Sequence, residues 1–336
     1  MGIFKSRLRF DRKDGRLVRF KILKARSTPA NALAVGCDLG GTRLKTVLLK
    51  RGSLRYENSV PVPRTSGKAI IDTLSAEVRH ALSHENADSR TSKSMTLGVA
   101  VPGFLDEKRR RIVRLSNLPV LNGCPLAGNL SRRLRGSLAS PPILDADSNA
   151  GALAEALEGA GRRARRVLYL SLGTGVSAAL IVDGQITRVS RHTVGQIAHI
   201  TLDPRGRKCS CGRLGCAEAT LSARGIVWRA RRAGLRGHEA SSPETLYEAA
   251  SSGSSAARQV WRETGSDLGN LVGILSTLWS PDRVVVGGGI SDAAKYFLPA
   301  TRRALKKTSS AKIEKSHWGP VAGAVGAALL GSRELS

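Results

Sequence analysis

Three of the chain's five cysteines, Cys209, Cys211 and Cys216, stand within eight positions in the run KCSCGRLGCAE at 208–218. Thiolates this close on a glycine-containing turn suit a tetrahedral metal such as zinc, which takes sulfur and imidazole ligands. His199, ten residues upstream, offers the fourth donor that three cysteines lack. A ligand set with no open position is structural rather than catalytic. The competing reading is a loop of three reduced thiols without metal. A redox pair is disfavoured, because the two-residue spacer of such motifs is absent.

A second chemistry centres on Asp147, in DADSNAGALAEAL. It stands where an apolar strand gives way to an amphipathic helix. An Asp at that junction can cap the helix, or act as a general base beside an attacking hydroxyl. Glycine turns supply the third chemistry. In DLGGT, Gly40 and Gly41 let the backbone turn tightly, so that its N–H groups and the Thr42 hydroxyl can meet phosphate oxygens. Asp38 can hold a water on Mg²⁺, and Lys45 adds positive charge. SLGTG repeats the pattern with Gly173, Thr174 and Gly175, and the bare backbone of Gly287, Gly288 and Gly289 can lie against a flat ring. Each turn taken alone also reads as a hairpin with no ligand.

These residues need elements to hold them. LAVGCDLGGTRLKTVLLK reads as strand, turn, strand; a helix follows at about 67–86, then a strand and loop in LGVAVPGFLD. Helix and strand patterns alternate onward to a helical stretch at 243–279, the strand before Gly287 and a final GPVAGAVGAALLG helix. Such alternation predicts an α/β fold, and the recurrence of the glycine turn predicts two similar lobes. In the first thirty residues, alternating apolar positions flank Asp14-Gly15, which predicts either a β-hairpin or a disordered basic tail.

The formal net charge is +28, of which +8 falls in residues 1–30. Such a surface attracts polyanions through counterion release, or is simply a solvated basic exterior. Aromatic residues are only 4% of the chain, which argues against an extended base-stacking surface. No apolar run approaches the roughly 18 residues of a membrane span, and the N-terminus lacks a secretory core. A cytoplasmic protein with reduced thiols and no membrane partner is expected.

In order, DLGGTRLK, VAVPGFLD, SLGTGVSAALIVDG, GQIAHITLDPRGRKCSCGRLGCAEA and LGNLVGILSTLWSPDRVVVGGGIS resemble the motifs of the ROK family of bacterial sugar kinases and repressors, over roughly residues 33–331. The resemblance implies a two-domain actin-like ATPase (ribonuclease H-like) fold with a cleft between domains. It implies a basic extension at 1–30, a domain at 31–148 joined by the C-terminal helix 318–332, and a second domain at 149–317 with the zinc loop. It makes Asp147 the base of an ATP-dependent kinase acting on a hexose or a modified or amino sugar, with Mg²⁺ on the nucleotide. His199, Cys209, Cys211 and Cys216 become ligands of a structural zinc, and Gly103, Asn117, Gln196, His199 and Glu218 face the sugar. The glycine turns hold ATP, and a homodimer is expected. Family repressors carry an N-terminal DNA-binding domain for which thirty residues are too few, which favours a kinase.

Two positions depart from the family pattern. Ala146 replaces Asn just before the base, and Gln196 replaces Glu. Both changed positions contact sugar hydroxyls in the family. They motivate a sugar bearing a bulkier group beside Ala146, or a sugar-sensing or scaffold protein with weakened catalysis. The basic surface motivates a third reading, a polyphosphate-dependent kinase or a polyanion-binding protein.

Overall fold

The computed structural model describes residues 6–10, 17–21, 33–85, 95–115, 117–189, 194–306 and 309–333. The chain divides into two compact units, residues 1–150 with 323–336, and residues 151–322.

In the first unit, β1 (Ser6–Phe10) and β2 (Leu17–Lys21) pair antiparallel, with Phe10 opposite Leu17, and form a sheet of their own. The Asp14-Gly15 turn lies outside the described residues. The main sheet is built from β3 (Leu33–Leu39), β4 (Arg43–Lys50), β5 (Ser53–Pro61), β6 (Thr96–Val101) and β9 (Ile143–Ala146), in the order β5-β4-β3-β6-β9. A small hairpin of β7 (Phe104–Leu105) and β8 (Ile112–Arg114) lies between β6 and β9 in the chain. β3, β4 and β5 form an antiparallel meander, whereas β3, β6 and β9 run parallel. Parallel strands are buried on both faces, and all six residues of β6 are buried.

Helix α1 (Gly67–His84) starts where the Ser66 hydroxyl accepts from the Ala69 amide, and buries Ile70, Leu74 and Val78 against this sheet's core. The last helix of the chain, Ala322–Arg333, approaches the sheet so closely that side chains are excluded on the strands beneath it. A Cβ on Gly36 would lie 1.9 Å from the Ala324 carbonyl oxygen, and one on Gly98 1.9 Å from that of Ala327. This explains the run of alanines and glycines in GPVAGAVGAALLG.

The second unit repeats the strand pattern. Its sheet has the order β12-β11-β10-β13-β14, from β10 (Arg166–Leu172), β11 (Val176–Val182), β12 (Gln185–Ile186), β13 (Arg283–Gly287) and β14 (Lys312–Lys315). β10 pairs antiparallel with β11 and parallel with β13, and β13 runs parallel to β14. In both units a glycine turn joins the first strand to its antiparallel neighbour. The core of the second unit centres on the long helix Ser255–Trp279 and the helix Ala294–Leu305, where the fully buried Trp261 and Phe297 rings pack 6.1 Å apart.

Candidate active site and metal centre

Three neighbouring parallel strands of the first unit end together. Asp38 on β3 pairs with Ala100 on β6, which pairs with Asp145 on β9. Their carboxyl ends therefore present the DLGGT turn, the Gly103 loop and Asp147 on one edge, the usual ligand edge of an α/β sheet. In the turn, the Gly40 amide donates to the carbonyls of Asp38 and Arg43, at 3.2 and 3.0 Å. Thr42 is exposed. The Lys45 ammonium donates to Asp38 Oδ2 at 3.3 Å, and burial raises the Asp38 pKa, with Lys45 opposing that rise. Asn117 lies against the turn: a Cβ on Gly41 would sit 3.1 Å from its Cβ. Gly103 leaves no room for a side chain, since a Cβ there would be 2.4 Å from the Arg114 carbonyl oxygen.

Two carboxylates two residues apart meet opposite environments. Asp145 is fully buried; its Oδ1 accepts from the Ala146 amide and Asn149 Nδ2, each at 2.8 Å, and its Oδ2 from Arg109 at 3.0 Å. Asp147, the first residue of the helix Asp147–Glu158, accepts from the Ser148 amide at 2.7 Å. Burial, then the nearby charge of Asp38, push Asp147 up to about 7 against the pull of that amide and of Lys45. A carboxylate so placed can take a proton near neutrality, whereas Asp145 is saturated with donors. Ala146 is itself only 5% exposed. It stands at the end of β9, where it pairs with Val101 of β6.

The second unit gathers the remaining residues. Ser171 pairs with Gly287 across β10 and β13, so the 173–175 turn and Gly287–Gly289 lie side by side at the ends of parallel strands. The Gly173 amide donates to the Gly175 carbonyl at 3.0 Å, and Thr174 is exposed. A Cβ on Gly175 would lie 2.9 Å from Glu218 Oε2, so this carboxylate stands over the turn. Gly288, at φ +79°, is positioned such that a Cβ would meet the Leu172 carbonyl oxygen at 2.2 Å; Gly289 faces open space. Gln196 is exposed and precedes a short 3-10 turn, Ile197–His199.

The cysteines fold as a knuckle. Lys208 and Leu214 bridge antiparallel, the Gly212 amide donates to the Cys209 carbonyl at 3.0 Å, and Gly212 and Gly215 take positive φ. His199 Nδ1 lies 3.7 Å from Cys209 Sγ, Cys211 Sγ lies 3.6 Å from Cys216 Sγ, and all four donor atoms fall within 4.8 Å of one another. Sulfurs at about 2.3 Å from a tetrahedral zinc stand about 3.8 Å apart, so the spacing fits such an ion. Cys216 directly precedes the helix Ala217–Leu221, whose first turn carries Glu218. The knuckle thus fixes where Glu218 points.

The ROK family model matches residues 34–334. The chain belongs to the ROK family. Among ROK relatives it is 30% identical to a glucokinase from Halalkalibacterium halodurans over 280 residues, 79% of this chain and 82% of the relative. It is 30% identical to an Escherichia coli N-acetyl-D-glucosamine kinase over 310 residues, 88% and 98% of the two chains. A ROK family glucokinase from Streptomyces griseus, solved with glucose and AMPPNP, superposes with a TM-score of 0.75 at 27% identity, covering 90% of this chain and 99% of that one. The two α/β units are therefore those of the two-domain actin-like ATPase fold.

Sequence reading missed two residues in this ROK chain. Glu155 is fully buried and accepts four hydrogen bonds: from Ser316 Oγ at 2.6 Å and from the amides of Trp318, Ala160 and His317 at 2.8, 2.8 and 3.1 Å. In GALAEAL it reads as the polar face of a helix, because three of its four donors are main-chain amides that no side-chain pattern announces. Arg109 hides in the basic run EKRRRIVR. Only a non-glycine residue at φ +52° sets it apart, and a sequence does not display that.

Proposed function

We propose that this chain is an ATP-dependent sugar kinase acting on a hexose or an amino hexose. The observation that carries this reading is Asp147, beside Asp38 on the strand edge that also presents a phosphate-type glycine turn, its carboxyl pushed up to about 7 by burial and by Asp38. Asp147 removes the proton from a sugar hydroxyl as that oxygen attacks the γ-phosphorus of ATP. The bond from that phosphorus to the β-γ bridging oxygen breaks, and ADP leaves with the electron pair. Lys45 offsets charge on the phosphates, which the backbone of Gly40 and Gly41 and the Thr42 hydroxyl would cradle. Mg²⁺, held through Asp38, would supply charge neutralisation on the phosphates.

Gly173, Thr174 and Gly175 would receive the nucleotide's phosphates, and Gly287–Gly289 its ring. Gly103, Asn117, Gln196 and Glu218 would orient the sugar. His199 turns Nδ1 toward Cys209, which leaves Nε2 for a sugar hydroxyl. A zinc ion on His199, Cys209, Cys211 and Cys216 has no open position in this reading, so it would stiffen the loop rather than react.

The test is a panel of glucose, mannose and their N-acetylamino forms, assayed with the full chain and with ATP or inorganic polyphosphate as donor. ATP-dependent sugar phosphate is the expected product. Sugar binding without transfer from either donor would overturn the kinase reading in favour of the sensor that Ala146 and Gln196 motivate. Transfer from polyphosphate alone would move the donor assignment to the reading that the +28 charge favours.

A further inference from the structure

Helix Ala223–Arg232 ends in three arginines, and the following turn, Gly237–Ala240, folds back beside them. Between them lies a recess of about 500 Å³ lined by Trp228, Arg231, Arg232, Arg236, Gly237 and Ala240. Arg229 points elsewhere and is neutralised, forming an ion pair with Asp267 and donating to Thr264. The recess arginines differ. No carboxylate among the described residues pairs with Arg231, Arg232 or Arg236, and Glu239 on the same turn makes no ion pair with them.

Each guanidinium is nevertheless placed. Arg231 Nε donates to the Ala240 carbonyl at 3.3 Å, and Arg236 Nη1 to that of Leu235 at 2.9 Å. Arg232 stacks 5.0 Å from the centre of the Trp228 ring. Arg207, reaching over from the cysteine knuckle, donates to the Arg224 carbonyl at 3.1 Å and lies 5.9 Å from the same ring. Helix-dipole stabilisation accounts for arginines in a last turn, but not for Arg236, which lines the recess from beyond the helix. Carbonyl contacts on one nitrogen leave the other N–H groups of these forks for a ligand, and guanidinium forks match phosphate oxygens. Trp228 serves as the platform for the guanidiniums, so its face is not offered to a nucleobase.

We propose that this recess binds a chain of linked phosphate groups, distinct from the glycine turns that would hold the transferred phosphate. The source is inorganic polyphosphate or the triphosphate of a nucleotide. Isothermal titration of the full chain at physiological salt, with inorganic tripolyphosphate, ATP and a single-stranded RNA, tests this against two double variants. R231A/R236A is expected to weaken tripolyphosphate binding about tenfold or more, the loss of at least one charge-assisted contact. The charge-matched R303A/K306A, on another helix, is expected to change it less than twofold. Tripolyphosphate should also alter the fluorescence that is lost in W228F. Should the alanine pair fail to fold, R231K/R236K keeps the charge without the fork and is expected to bind several-fold more weakly. ATP competing at this site would name a nucleotide as the source, and ATP failing to compete would name inorganic polyphosphate. Equal weakening in both double variants, weakening in neither, or RNA binding more tightly with the same dependence on Arg231 and Arg236 would each overturn the proposal.

Discussion

The guanidinium of Arg109, on a residue at φ +52°, donates at 3.0 Å to the fully buried carboxylate of Asp145. That carboxylate in turn holds the Ala146 amide and Asn149, so the ion pair sets the strand-to-helix junction on which Asp147 stands. Arg109→Ala withdraws charge compensation from a buried acid and is expected to cost about 1–3 kcal/mol, below the full penalty of a wholly buried pair because Arg109 is partly exposed. Arg109→Gly loses the same pair but relieves the left-handed backbone, so it is expected to unfold about 1 kcal/mol later than the alanine variant. Denaturant titration of both variants checks the order.

Asp147→Asn is expected to lower turnover roughly 10²–10⁴-fold while sparing sugar affinity. The wild-type kcat/KM should rise about tenfold per pH unit below pH 7 and level above it, because the base form appears as pH passes about 7. Since the folded pKa is raised, the folded state holds a proton between about pH 4 and 7 that the unfolded chain has released. Stability from this group therefore falls as pH rises through that window. The Asn variant should accordingly gain thermal stability over wild type at pH 8 and little at pH 4, which paired melting curves will show.

Metal analysis of protein purified without chelator is expected to find about one zinc per chain. Cys211→Ser should remove it and loosen the knuckle, exposing the 205–215 loop to proteolysis. Because Glu218 stands two residues after Cys216, in the first turn of the helix that Cys216 caps, sugar affinity should fall with the metal. Zinc-free wild-type protein of full stability and activity would exclude the metal site.

Removal of residues 1–32 is expected to leave the melting temperature within a few degrees and ATP-dependent turnover unchanged. Among the described residues β1 and β2 pair only with each other, and the main sheet begins at Leu33. Polyanion binding at low salt should weaken, since ten of the chain's cationic residues leave with the segment. A truncated chain that fails to fold would show that the hairpin supports the main sheet.

Many residues of the candidate site advertise themselves in the sequence. Cys209, Cys211 and Cys216 sit at ligand spacing, and the glycines of DLGGT and SLGTG stand where strands must turn sharply. Asp147 was readable as a junction residue, but its environment was not. Its raised pKa comes first from burial and then from the charge of Asp38, which is more than a hundred positions away and is brought near by strand register. Glu155 and Arg109 were invisible for a related reason: main-chain donors and backbone torsions leave no trace in composition.

The four hydrogen bonds of Glu155 have a topological consequence. Residues 151–322 are spliced into the other unit, entering just before Glu155 and leaving just after Trp318. One carboxylate grips both ends of the graft from within, through Ser316, His317 and Trp318. The inserted unit thus closes on itself like a ring with a clasp, and its termini stay together without help from the host. The boundaries at 150 and 322 fall inside the helices Asp147–Glu158 and Ala322–Arg333, so each crossing is a continuous helix, while the clasp itself lies wholly on the insert's side of both.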